Sequence, residues 1–154
     1  MSARVLGKLA EMGLVLPKVA SPVAAYTPAR RAGELVFISG QLPLQDGQLM
    51  MTGPMSPERD IDEARSSMAR CFLNGLAAAG LVCDLDDISG VIRLGAFVAG
   101  TPEFTDQHLV ANGASELAQA IFGESGVHAR AAVGVPSLPL GATVELEITF
   151  SVQG

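Results

Sequence analysis

The sequence predicts an α+β fold: a mixed sheet with two long helices on one face, plus a short N-terminal helix. Three observations carry this. Two stretches, 56–79 and 101–122, hold apolar residues at helical spacing and stop at Gly80 and Gly123. Runs of β-forming residues precede, separate and follow them, clustering as in an α+β sandwich. The last run alternates strictly, with Val144, Leu146, Ile148 and Phe150 on one face and Glu145, Glu147 and Thr149 on the other. The order of strands in the sheet stays open.

Along the chain, Val5, Leu6, Leu9 and Met12 share a helical face and Gly13 can end the turn, so residues 2–12 read as a helix covering an edge. Residues 15–21 are a connection containing Pro17, and 22–27 an edge strand beginning at Pro22. Tyr26, the only tyrosine, either packs its ring at the surface or lines a pocket. Arg30–Gly33 reads as a turn. Leu35–Ile38 is a continuous apolar run, suited to a strand buried on both faces. Ser39-Gly40-Gln41 follows, with Gly40 marking a bulge or a close backbone approach. Asp46-Gly47 has hairpin chemistry.

Ser56 as N-cap, Pro57 at the first helical position and Glu58 predict a helix start. Asp84, Asp86 and Asp87 lack the spacing, glycine turn and closing glutamate of a calcium loop, so they read as solvated. Ile88–Val98 reads as a strand with Arg93 in its middle, in a salt bridge or as a second anion ligand. Thr101-Pro102-Glu103 repeats the helix-start pattern. In the helix that follows, Asn112 or Ser115 reaches toward a pocket. His108 sits on the helix surface and His128 at a pocket rim; the two histidines have no metal-ligand spacing, and no metal is expected.

Composition sets the class. A length of 154 residues suits one domain, and at 49% apolar and 17% charged the chain has surface to spare for subunit contacts. A net charge of −6 argues against sequence-independent nucleic-acid binding. Cys71 and Cys83 read as free thiols in a reducing compartment. No run approaches the ~18 apolar residues of a membrane span, and the charges at Arg4, Lys8 and Glu11 do not suit a secretory signal. The expected location is cytoplasmic, with no membrane partner.

Residues 126–150 concentrate the chemistry. Ala129–Val135 and Thr143–Phe150 read as strands joined through Pro136, Pro139 and Gly141. Arg130 shares a face with Ala132 and Gly134, so its guanidinium has room beside it for a small anion. The alternative is an ion pair with Glu145 or Glu147 across the sheet.

This stretch, HARAAVGVPSLPLGATVELE, resembles the C-terminal signature of the RidA/YjgF/YER057c/UK114 family of enamine and imine deaminases. Tyr26 with LVFISGQ (35–41) is similar to that family's N-terminal strand block, and 61–80 with 87–98 to its first helix and next strand. The resemblance implies a chorismate-mutase-like (YjgF-like) sandwich over a single domain, 1–154. Residues 1–20 would be an N-terminal extension of the longer-chain branch. It implies a homotrimer with pockets at subunit interfaces and no cofactor. It implies hydrolysis of small enamine or imine acids, of the 2-aminoacrylate type, to 2-keto acids and ammonia. On that reading Arg130 clamps the carboxylate, Glu145 handles water or a proton, and Tyr26, Ser39, Gly40, His128 and Ala129 surround the substrate. Where many relatives carry a cysteine shortly after the arginine, this chain has Ala132. The alternative function is a non-catalytic trimeric binder or sensor of small 2-keto or amino acids.

Overall fold

The computed structural model describes residues 3–19 and 25–154. A short helix, α1 (Ala3–Glu11), precedes the hairpin β1 (Ala29–Ala32) and β2 (Leu35–Gln41). A two-stranded ribbon follows, β3 (Leu44–Gln45) and β4 (Gln48–Leu49). Then come α2 (Ile61–Ala79), β5 (Ile88–Ala99), α3 (Gln107–Phe122), β6 (Ala129–Val135) and β7 (Val144–Val152). The main sheet has five strands in the order β1-β2-β7-β5-β6. Every pairing is antiparallel except β5 with β6, which α3 connects as a crossover.

Both long helices lie on one face. Val36, Ile38, Leu94, Leu146, Ile148 and Phe150 point at them and are at most 4% exposed. Phe150 meets the Phe72 ring edge-on, with centroids 5.9 Å apart, and the Phe122 ring at 6.2 Å. Cys71 of α2 is fully buried beneath this layer, and burial, reinforced by the charge of Glu145, pushes its thiol pKa well up. Both cysteines are free. The helices approach closely at Gly113, where a Cβ would overlap the Arg65 backbone.

The other face is open. In β7, Glu145, Glu147, Thr149 and Ser151 are half-buried, while the residues between them are buried. Leu35, Phe37 and Val133 leave 36%, 46% and 43% of their surface exposed. The apolar run of β2 is therefore buried on one face only, not on two as its sequence suggested. Among the described residues nothing covers its second side.

Other boundaries differ from the sequence reading. Residues 22–24 of the expected edge strand lie outside the described residues, and 25–28 form no strand. The first strand is β1, where a turn was expected. The turn is Gly33-Glu34, with Gly33 at φ +61°. The helices begin later than their Ser-Pro and Thr-Pro signals. Asp60 is the N-cap of α2, its side chain accepting from the Asp62 amide at 2.9 Å, and Asp106 is the N-cap of α3. Ser56 and Thr101 instead open turns that close on Arg59 and Phe104. Asp46 and Gly47, at φ +53° and +79°, do form the expected hairpin turn.

The acidic loop has a structural job. The Asp86 carboxylate accepts from the Arg4 and Val5 amides at 3.0 and 2.9 Å, capping α1. Arg4 donates in return to the Asp86 and Ile88 carbonyls. The α1 residues Val5 and Leu9 are buried, as its spacing predicts.

Candidate functional site

The expected strand pair around Arg130 and Glu145 does not form. β5 lies between β6 and β7, so the two strands are two spacings apart, ~10 Å, and the residues are a further three positions apart along them. They also face opposite ways. Arg130 is in register with Leu94 and shares its helix-side face, whereas Glu145 is in register with Phe97 on the open face. An ion pair between Arg130 and either glutamate is thereby excluded within the chain. Glu147 pairs instead with Arg93, Nη1 to Oε1 at 3.0 Å, the salt bridge the sequence allowed. Gly95, between them on the same face, leaves the room for it.

Arg130 lies at the sheet's edge against α3. Its Nη1 donates to Asn112 Oδ1 at 2.8 Å and to Ser115 Oγ at 3.0 Å, and Nη2 to the His108 carbonyl at 3.4 Å. Positions 108, 112 and 115 follow i, i+4, i+7 spacing, so α3 offers three acceptors on one stripe. His128 completes the group: Nε2 lies 2.9 Å from Ser115 Oγ and Nδ1 2.6 Å from the Gly126 carbonyl. Every partner of Arg130 is neutral. Its positive charge has no acidic counterpart among the described residues, and the side chain remains exposed.

Glu145 is the complementary case. It is half-buried, and among the described residues its carboxylate has no hydrogen-bond or ion-pair partner. Burial, and then the nearby charge of Glu147, push its pKa up. Its Oε2 lies against Gly40, where a Cβ would overlap it. The β2–β7 register shifts between Ile38 and Gln41, so Gly40 sits in the expected bulge.

Tyr26 and Ser39 line an open-face concavity of about 680 Å³, with Thr27, Arg30, Phe37, Arg93, Glu147 and Thr149 around them. Ser39 is held from behind, its hydroxyl donating to the Thr27 carbonyl at 2.6 Å. The predicted residues thus fall into two groups. Tyr26, Ser39, Gly40 and Glu145 belong to the open face. His128 and Arg130 belong to the α3 edge, and the exposed Ala129 turns to the open face in register with Arg93. Ala132 packs against the core. Asn112 and Ser115, expected to reach a pocket, instead reach Arg130 of the same chain.

Among the described residues, no three His, Cys, Asp or Glu side chains gather as a metal site, and no helix is long and apolar enough to cross a membrane.

The chain is 40% identical to protein TCP17 of Trypanosoma cruzi over 151 residues, covering 95% of this chain and 92% of that one. Its fold matches the crystal structure of a protein of unknown function from Agrobacterium tumefaciens, with TM-score 0.88 and 42% identity, covering 99% of this chain and 95% of the other. It also matches a putative endoribonuclease from Shewanella oneidensis, with TM-score 0.91 and 27% identity, covering 96% and 99%. The family model described as Endoribonuclease L-PSP matches residues 17–152. With nearly its whole length matched and the sandwich shared, the chain belongs to the endoribonuclease L-PSP family, the RidA/YjgF/YER057c/UK114 proteins.

Proposed function

We propose that this protein hydrolyses small enamine and imine acids of the 2-aminoacrylate type to 2-keto acids and ammonia. The observation that carries the reading is the uncompensated charge of Arg130, held by neutral partners at an exposed edge. Arg59 and Arg70, also without a carboxylate, are tied to backbone carbonyls of loops, whereas Arg130 stands on an edge strand with its outer side open. One held this way is ready to take a carboxylate from solution, and its planar fork suits that group.

The chemistry asks for little else. After tautomerisation to the imine, water adds to the imine carbon while a proton goes to nitrogen. The C–N bond then breaks, ammonia leaves and the carbonyl forms. Orientation supplies much of the rate. Glu145, unpaired and with a raised pKa, aims the water and relays its proton. The reaction needs no cofactor.

One substrate cannot touch Arg130 and Glu145 of the same chain, because the sheet stands between them. The reading therefore includes a homotrimer in which open faces pack inward. The edge bearing Arg130 of one subunit then meets the Tyr26, Ser39, Gly40 and Glu145 group of the next. Exposed Leu35, Phe37 and Val133 supply apolar surface for that contact.

The test generates 2-aminoacrylate with a pyridoxal-phosphate lyase and traps the remaining imine with semicarbazide. Wild type is expected to deplete the trappable imine faster than buffer, and Arg130→Ala to fall to the buffer rate with its assembly intact. Full turnover in Arg130→Ala would sink the catalytic role. Binding of pyruvate with no rate above the spontaneous one would make the protein a 2-keto acid binder.

A further inference from the structure

We infer that Asn112, Ser115 and His128 are positioning residues that orient Arg130 so that its Nε/Nη2 edge faces a ligand carboxylate. The inference rests on the reading of Arg130 given above. An arginine has five N–H donors, two on each Nη and one on Nε. Nη1 is occupied by α3, donating to Asn112 and Ser115. Nη2 makes one long contact, 3.4 Å to the His108 carbonyl. Nε has no acceptor among the described residues. The Nε–H and the Nη2–H beside it are parallel, which is the geometry for two bonds to one carboxylate. The end-on approach, which needs Nη1, is closed by α3.

The hydrogen bonds behind Ser115 run in one direction. The Gly126 carbonyl can only accept, so His128 carries its proton on Nδ1. In the neutral ring Nε2 is then bare and accepts from the Ser115 hydroxyl. That leaves the Ser115 oxygen lone pairs for Arg130. A chain of donors thus runs from Arg130 through Ser115 and His128 to the backbone at Gly126. Ser115 is 7% exposed, so it meets Arg130 and not the ligand.

The experiment uses pyruvate as probe on the full chain, read by calorimetry, with ¹⁵N spectra of the arginine side chains as a ligand-free readout. Wild type is expected to show separate Nη1 and Nη2 resonances for Arg130, a guanidinium that does not rotate freely. Asn112→Ala and Ser115→Ala are expected to merge them and weaken pyruvate roughly two- to tenfold, the effect of freezing one long side chain on binding. Ser115→Thr, which keeps the hydroxyl, is expected to restore both, and His128→Gln, which keeps a neutral acceptor, to retain both. Arg130→Lys is expected to lose more than tenfold, since a point charge cannot replace a fork. Merged resonances in wild type would overturn the positioning inference whatever pyruvate does. Unchanged affinity in both alanine variants, with binding lost in Arg130→Ala, would overturn the inference and keep Arg130 as the anion site. Equal affinity in wild type and Arg130→Ala would overturn both readings.

Discussion

The two faces of the sheet are built from the same strands and solve different problems. On the covered face, Leu94, Leu146, Ile148 and Phe150 are at most 2% exposed, and Arg130, at the β6 edge, has neutral partners on α3. On the open face, large apolar residues stand beside polar ones, and Glu145 has no partner among the described residues. Apart from the charge of Arg130 at its edge, the covered face is finished by its own chain. The open face keeps unmet requirements, apolar area without cover and a carboxylate without a donor, which is how a surface meant for something else looks.

Four measurements break or sharpen this contrast. The largest effect belongs to the covered face. Phe150→Ala removes a ring packed on Phe72 and Phe122 and is expected to cost ~3–5 kcal/mol, read from denaturant unfolding. An equal cost for a substitution at half-exposed Phe37 would erase the distinction between the faces. Phe37→Asp is instead expected to leave each subunit folded by circular dichroism while light scattering reports loss of the trimer, because the charge would lie in the proposed contact. A trimer unchanged by that variant would remove Phe37 from the interface.

Gly40→Ala probes the boundary between packing and chemistry. The new methyl overlaps only the flexible end of Glu145, so the fold is expected to hold while the carboxylate moves. Imine hydrolysis should drop by up to about a hundredfold, the scale of a misplaced catalytic group, with little change in melting temperature. The smallest effect is that of Glu145→Gln on stability. Burial and Glu147 raise the pKa of Glu145 in the folded protein, so folding is favoured by its protonated form. Its contribution is fully present below the ordinary value near 4.5 and is lost as pH rises through the raised one. Glu145→Gln should therefore melt higher than wild type at pH 7, by roughly 1–3 °C, with the difference vanishing in acid. A variant that melts lower at pH 7 would mean that Glu145 has a favourable partner after all.

The sequence carried much of this and stopped at identifiable places. Alternation in β7 assigned Phe150 and Glu145 to opposite faces, and the run to Gly123 placed the end of α3. Alternation also separated Arg130 from Ala131. Pairing, however, is not local. Nothing in residues 126–150 says that β5 inserts between the last two strands, and that insertion puts Arg130 and Glu145 on different sides. The helix starts failed because proline suits both a first helical turn and a β-turn. The true caps, Asp60 and Asp106, are of a cap-favouring type but went unread behind the stronger proline signals. Asn112 and Ser115 could be recognised as a pair by their spacing on α3, but their partner depended on where β6 lay. The open face was misread in β2 because an apolar run looks the same whether a strand is covered by its own helices or by something outside the chain.

The Asp86 cap on α1 also has a consequence for the order of assembly. The bond from the Arg4 amide to Asp86 closes a loop of 82 residues, and a nine-residue helix is too short to persist alone. Its cap is the loop that leads into β5, so no platform exists for α1 until that part of the sheet has formed. A segment synthesised before the sheet is thus among the last to find its place, and its docking closes the fold over Val5 and Leu9.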